Sequence, residues 1–420
     1  MTAPPAGAPA PHQGFRTFLL VWLGSTVSAL GSALAGFVIG VWAFQQTGSA
    51  TLYSLIAVAG LVPALVVAPF AGALADRWDR RWMMIWATVA AMVVTGATAL
   101  LMLAGRLEVW HLYVTALVGS VVGASVRPAG MAVNTSLIPP EHFARAAGLM
   151  QFGGAGIRIV APAIAGILLA RIHAAGVLLI DVASFLAVLV VFLAIRIPQP
   201  HRAGPPRPRR SILVDIGEGW RYVRDRPGIF GLLLYFSAIG AAPTIGMVLL
   251  TPLVLRTADV VVLGTVMSIA ATGALAGGLL MSTWGGPKRR FHGIMLAGVL
   301  LGISMIVAGW RSSPWVVAAG AFGIMMGGPI MTASFNAFWQ VRTPLELHGR
   351  VFSIITMVAE SSMPVALLVA GPATDFLLEP LMAPGGALGE VLGPYLGTGP
   401  GRGIGLLYVG LGVFVLLVTA

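Results

Sequence analysis

The 420-residue chain contains no cysteine, which excludes disulfides and thiolate metal sites and leaves the compartment open. Charge is almost as scarce: Asp, Glu, Lys and Arg make up 9% of the residues against 58% hydrophobic, and the mean hydropathy is +0.93. So little polar material cannot cover a soluble globule. The Gly-x-x-x-x-Gly-Lys-Ser/Thr phosphate loop is missing, no soluble stretch is long enough for a nucleotide domain, and the run from Gly397 to Gly403 lacks the strand and helix context of a phosphate site. ATP is thereby excluded as the direct energy source. All seven histidines fall in tails, loops or span ends. That argues against a buried histidine relay, and no metal site or cofactor is expected.

What the chain has instead is long apolar runs. A bilayer crossing needs ~20 apolar residues, and by that measure spans lie near residues 17–44, 51–75, 83–104, 109–135, 146–170, 176–196, 228–255, 262–284, 292–310, 315–339, 350–378 and 403–420. The runs are rich in Gly, Ala, Leu and Val without strand-like alternation. They are therefore read as helices, which satisfy their own backbone hydrogen bonds in lipid. Small residues inside them, such as Gly31, Gly36 and Gly40 or Gly273, Gly277 and Gly278, allow helices to approach closely.

Two echoes divide the chain in half. The segment Gly72 to Arg81 (GALADRWDRR) recurs in weaker form from Gly277 to Arg290, 205 residues on; Pro128 through Asn134, Pro140 and Glu141 to Arg145 are echoed by Pro329 through Asn336, Pro344 and Glu346 to Arg350 at offsets of 201 to 205. Repetition at nearly one offset implies duplication. The expected architecture is an all-α membrane protein of twelve transmembrane helices in two six-helix parallel repeats. Residues 1–15 are a cytoplasmic tail, 16–196 the first bundle, 197–227 a linker and 228–420 the second bundle.

Charge sets the orientation. With the N-terminus in the cytoplasm, 18 of the 25 Lys and Arg fall on cytoplasmic segments, five outside (Arg106, Arg171, Arg256, Arg311, Arg402) and two in spans (Arg127, Arg158), a positive-inside distribution. The net charge of +11 is then a topology signal and an attraction to anionic lipid, not a nucleic-acid footprint. The Pro/Arg-rich run to Arg210 reads as an extended tether that binds the inner leaflet. After it, Ile212, Ile216, Trp220 and Val223 at helical spacing read as a surface helix. Glu379 to Arg402 reads as an external loop, and the last span ends at Ala420 without a basic anchor, which fits a chain cut short.

The Gly72 to Arg81 segment resembles the loop motif between helices 2 and 3 of the major facilitator superfamily, with Asp79 where that motif usually has Gly. Further stretches resemble the drug/proton antiporter branch that includes macrolide efflux proteins and the enterobactin exporter. These are Arg127-Pro128-Ala129 leading to Ile138-Pro139, Ile157-Arg158 with Ala161-Pro162-Ala163-Ile164-Ala165-Gly166, Asp181 to Phe185, and Gly349-Arg350-Val351-Phe352-Ser353. The resemblance implies a secondary active transporter of the bacterial inner membrane, working by alternating access as a monomer among membrane lipids and exporting hydrophobic drugs, macrolide-like antibiotics or siderophores against protons. A lipid or lysolipid flippase on the same fold is the alternative, and a membrane receptor or enzyme a third reading. No span carries the clustered His, Asp, Glu and Ser that catalysis would need.

The candidate residues follow. Gly72, Asp76, Arg77, Arg80 and Arg81, with Arg127, Lys288, Arg289, Arg290 and Arg350, form the cytoplasmic gating set. Ionisable groups within spans are costly and by default functional. Glu360, mid-way along the eleventh span, is the expected proton carrier, tuned by Arg158 in the fifth. Asp181 in the sixth span is the second choice, and Asp375 lies toward the outer end of the eleventh. Trp22, Ser25, Ser28, Phe236, Phe335, Asn336, Trp339 and Gln340 are expected to line a cavity for an amphipathic substrate.

Overall fold

A computed structural model describes residues 11–77, 79–195, 220–287, 290–342 and 348–420. Its long helices are α1 (Pro11–Thr47), α2 (Ala50–Arg77), α3 (Arg80–Leu103), α4 (Val109–Leu137) and α5 (Phe143–Ala194). They continue as α6 (Pro227–Val248), α7 (Leu250–Leu255), α8 (Val260–Trp284), α9 (Arg290–Trp310), α10 (Pro314–Arg342) and α11 (His348–Pro372). The chain ends in two short helices, α12 (Glu379–Met382) and α13 (Ala387–Leu396), and then α14 (Arg402–Thr419). Among the described residues there is no strand.

Eleven of these segments are long and apolar enough to cross a membrane. The exception to a one-to-one match with the twelve expected spans is α5. Its 52 residues would run ~78 Å as a straight helix, more than twice the ~30 Å apolar core of a bilayer. It cannot be one crossing, and it is not continuous: His173 leaves the helical region with φ 59° and ψ 171°. The two arms on either side hold the fifth and sixth spans, which restores twelve crossings. The protein is an all-α, multi-pass membrane protein.

The surface supports that reading. Leu100, Val66, Leu417 and Phe376 are well exposed along helix flanks, as lipid-facing residues should be. Trp82, Trp110, Trp284, Trp310 and Trp315 stand within two residues of helix ends and are half or more exposed. That is the placement that seats an indole at a membrane interface.

Contacts divide the chain into two compact units, Met1–Ala43 with Ala59–Ala203, and Phe44–Val58 with Gly204–Ala420. The end of α1 and the first turns of α2 thus group with the second unit. In the first unit, Phe18, Val21, Met84, Ile85, Val133, Leu137, Val188 and Phe192 form a core shared by α1, α3, α4 and α5. In the second unit, glycines bring helices into backbone contact: a methyl group on Gly273 or Gly277 of α8 would run into the carbonyls of Phe322 and Met326 on α10. Gly302 and Gly412 oppose each other in the same way where α9 meets α14. Of the other glycines expected to pack, Gly31 is tightly opposed, whereas Gly36 and Gly278 face open space.

The segment after α11 departs from the expected surface loop. The chain passes through a π turn at Ala373–Leu378 into α12 and α13, then returns through Gly397, Gly399 and Gly401, all at positive φ, where only glycine turns without strain. Arg402, counted above among the external charges, is 1% exposed. Of the expected linker helix, the Arg-rich run, Ile212 and Ile216 lie outside the described residues; Trp220 is exposed and Val223 buried.

These contacts generate a stability prediction. Gly277→Val should cost roughly 1–3 kcal/mol by overpacking the α8–α10 crossing, whereas Gly278→Ala should leave the thermal unfolding midpoint in detergent unchanged. Equal midpoints for the two variants would contradict the crossing.

Candidate functional site

The few charges fall into two groups, those that cap helix ends and those that do not. At the start of α3, Asp79 Oδ1 accepts from the backbone N–H of Arg81 (2.8 Å) and Trp82 (3.2 Å). This explains the residue that departs from the loop motif: Asp is a strong N-cap where Gly would be a weaker one. Arg81 turns the other way, donating through Nε to the carbonyl of Phe192 (2.9 Å) and through Nη2 to that of Leu193 (2.7 Å). A cation at the last carbonyls of α5 complements the helix dipole, so Arg81 braces α3 against α5 inside the first unit. The backbones of Gly72, Asp76, Arg77, Arg127, Arg290 and Arg350 are helical, but their side chains, like that of Gln340, lie outside the described residues, as do Lys288 and Arg289 entirely.

In the second unit Asp375 caps α2. Its carboxylate accepts from Ser49 Oγ (2.6 Å) and from the backbone N–H of Ala50 (3.1 Å) and Thr51 (2.8 Å). Arg256 stands 3.6 Å away, pairs with Glu379, donates to the carbonyl of Gly48 at 3.4 Å and lies 5.9 Å from the centre of the Phe44 ring. One guanidinium therefore ties the tip between α1 and α2 to the ends of α7, α11 and α12. Arg402 does comparable work for α9. It begins α14, where a cation opposes its own helix dipole, and instead donates to the terminal carbonyls of Gly309 and Trp310 and to Ser312 Oγ. The sequence reading gave Arg256, Glu379 and Arg402 no site role; for Arg402 the available signal was a cation placed at the wrong end of a helix.

Asp181, on the second arm of α5, is 2% exposed. Ser184, three residues on and so on the same helix face, donates to its carbonyl oxygen (2.7 Å) and to Oδ1 (3.3 Å), and Ser32 of α1 donates to Oδ1 (3.2 Å). Gly31 makes room, since a methyl there would stand 2.8 Å from Oδ1. The partners are neutral hydroxyls, and among the described residues no cation pairs with Asp181.

Arg158 and Glu360 differ from all of these. Arg158 is exposed on the first arm of α5 and Glu360 half-buried on α11. Each sits four residues before a proline inside its helix, Pro162 and Pro364, so they occupy matching positions in the two repeats. Among the described residues neither has a hydrogen-bond or ion-pair partner.

The expected cargo residues separate by unit. In the first, Trp22 and Ser25 are half-buried and Ser28 is buried. In the second, the rings of Phe236 and Phe335 meet at a tilt with 3.9 Å between centres, and Trp339 meets Phe335 edge-on at 5.7 Å. Trp339 is wholly buried: it backs Phe335, and it is Phe236, Phe335 and Asn336, all half-buried, that remain partly open.

Residues 21–367 match the model of the Major Facilitator Superfamily. Macrolide efflux protein A of Streptococcus pyogenes is 26% identical over 373 residues, covering 85% of this chain and 89% of the relative. The multidrug efflux pump Tap of Mycolicibacterium fortuitum is 24% identical over 371 residues, with 85% and 89% covered. Among solved structures, a bacterial homologue of the human lysosomal transporter Spinster superposes with a TM-score of 0.68 at 16% identity, covering 98% of this chain and 96% of that one; this is a likeness of fold. With the repeated six-span plan and the family match over most of its length, the chain belongs to the Major Facilitator Superfamily.

Proposed function

We propose that this transporter exports hydrophobic, amphipathic compounds from the bacterial cytoplasm across the inner membrane in exchange for protons, with its N-terminus inside. The names of its relatives, macrolide and multidrug efflux proteins, support the cargo class. The observation that carries the coupling is the pair Glu360 and Arg158: opposite charges, mid-span, at matching places in the two repeats, each without a partner among the described residues. A charge in that position is too costly to be kept idle. Asp375 and Asp181 are less suited to the task. The first is engaged by two backbone N–H groups and a hydroxyl, with Arg256 beside it; the second is enclosed among hydroxyls.

In this reading Glu360 takes a proton from the outer side and surrenders it inward as cargo enters, and Arg158 serves the same cycle from the matching position of the first repeat. The cap that Asp375 places on α2, with Arg256 beside it, holds the tip between the first two spans and must release for the outer side to open.

Two outcomes test this. In proteoliposomes with an imposed pH gradient, Glu360→Gln should cut uphill erythromycin transport by at least about tenfold while binding persists, and Asp181→Asn, which keeps its hydroxyl contacts, should transport at near the wild-type rate. The reverse pattern would move the carrier to Asp181. The absence of cysteine makes a second test direct. Ala50→Cys, buried beneath the Asp375 cap, should react slowly with a membrane-impermeant maleimide and severalfold faster when Asp375→Asn is added. Unchanged labelling would remove the lock from the account.

A further inference from the structure

Within the second unit α6, α9, α10 and α11 line an open-sided cavity of about 210 Å³. It is walled by Phe236 and Gly240 of α6, Gly328, Met331 and Thr332 of α10, and Met363 of α11, together with aliphatic side chains. The space arises from absent side chains: a Cβ added at Gly240 or Gly328 would meet no atom within 4 Å. Phe236, which is part of the wall, also meets Phe335 at a tilt with 3.9 Å between ring centres, so the cavity adjoins the aromatic pair expected to line the cargo site.

The lining decides what could enter. Among the described residues no charged side chain lines the cavity, and the Thr332 hydroxyl is the one polar side chain in its wall. An ammonium group seated against these walls would lose hydration with no compensating partner among the lining residues, a penalty that outweighs any packing gain. An apolar group meets no such penalty. A dry cavity of roughly 150 Å³ is enough to hold benzene, so this one has room for a substituted ring or a branched aliphatic group, though not for a whole amphipathic drug. The thioethers of Met331 and Met363 can reshape around different outlines.

We propose that this cavity is a subsite for an uncharged, apolar ring or branched alkyl portion of the cargo, with the polar remainder of the molecule staying outside it. The inference rests on the transporter reading above and adds a selection rule: cargo is chosen by a neutral apolar group, not by a cationic one. A lipid acyl chain shares the same chemistry, and the experiment separates the two sources.

The protein, reconstituted in lipid nanodiscs with methyl-¹³C methionine, is titrated with 4-fluorotoluene and, in parallel, with 4-fluorobenzylammonium. The Met331 and Met363 resonances, assigned by substitution to Leu, should shift with the neutral probe and not with the cation. Gly328→Leu, whose side chain fills the space, should abolish the shifts and raise the apparent KM for erythromycin transport by at least about tenfold, the worth of a buried ring. Gly240→Ala, which fills less, should act in the same direction but more weakly. If the two resonances are broadened by doxyl-labelled lipid and ignore 4-fluorotoluene, the cavity holds an acyl chain and the proposal is overturned; it is equally overturned if Gly328→Leu, folded to the wild-type unfolding midpoint, keeps the wild-type KM. Probe shifts without any erythromycin transport by the wild type would count against the transport reading and leave the cavity's preference standing.

Discussion

Lipid offers a backbone N–H or C=O no partner, and each polar group left over inside it costs several kcal/mol. Helices solve the problem along their length and leave it at their ends, where the first N–H and last C=O groups have no partner within the helix. Much of this protein's small stock of charge is spent there. Asp79 caps α3, Asp259 caps α8 through the N–H of Val262 at 2.8 Å, and Asp375 caps α2 from a different helix. Arg81 and Arg402 close the carbonyl ends of α5 and α9. Once the capping charges are set aside, Asp181, Glu360 and Arg158 remain as charges deep in described spans that serve no helix end. Asp181 is bonded to two hydroxyls, whereas Glu360 and Arg158 have no partner among the described residues, and that contrast is the physical basis for proposing them for coupling.

The same constraint explains how close the helices come. With no hydrophobic force to press one helix against another in lipid, contact must be made by packing. Gly273 and Gly277, or Gly302 and Gly412, let backbones touch where any side chain would hold them apart. Where glycines face open space instead, as at Gly240 and Gly328, the missing side chains leave a cavity. Glycine thus does two opposite things in the second unit, and which one it does depends on what lies across from it.

That distinction marks the limit of what was legible in the sequence. Spans, duplication and family followed from local signals: apolar runs long enough to cross a bilayer, and motifs repeating at one offset. The matching positions of Arg158 and Glu360 were also there to read, four residues before Pro162 and Pro364. The caps were not, because they join residues far apart in the chain: Ser49 and Asp375 are separated by 326 positions and Arg402 and Gly309 by 93. Composition alone could not tell an exposed aromatic from a buried one either. Phe335 and Trp339 read alike as cavity residues, yet Trp339 is enclosed behind its neighbour. The departure at Asp79 became intelligible only when its carboxylate was found on the first N–H groups of α3.

The central claim, that cargo and proton compete through Glu360, is most directly tested by proton release from the purified protein. In weakly buffered detergent solution with a pH indicator, adding erythromycin should release protons from the wild type and from Asp181→Asn but not from Glu360→Gln. Equal release from Glu360→Gln and the wild type, or release lost in Asp181→Asn and kept in Glu360→Gln, would contradict the account.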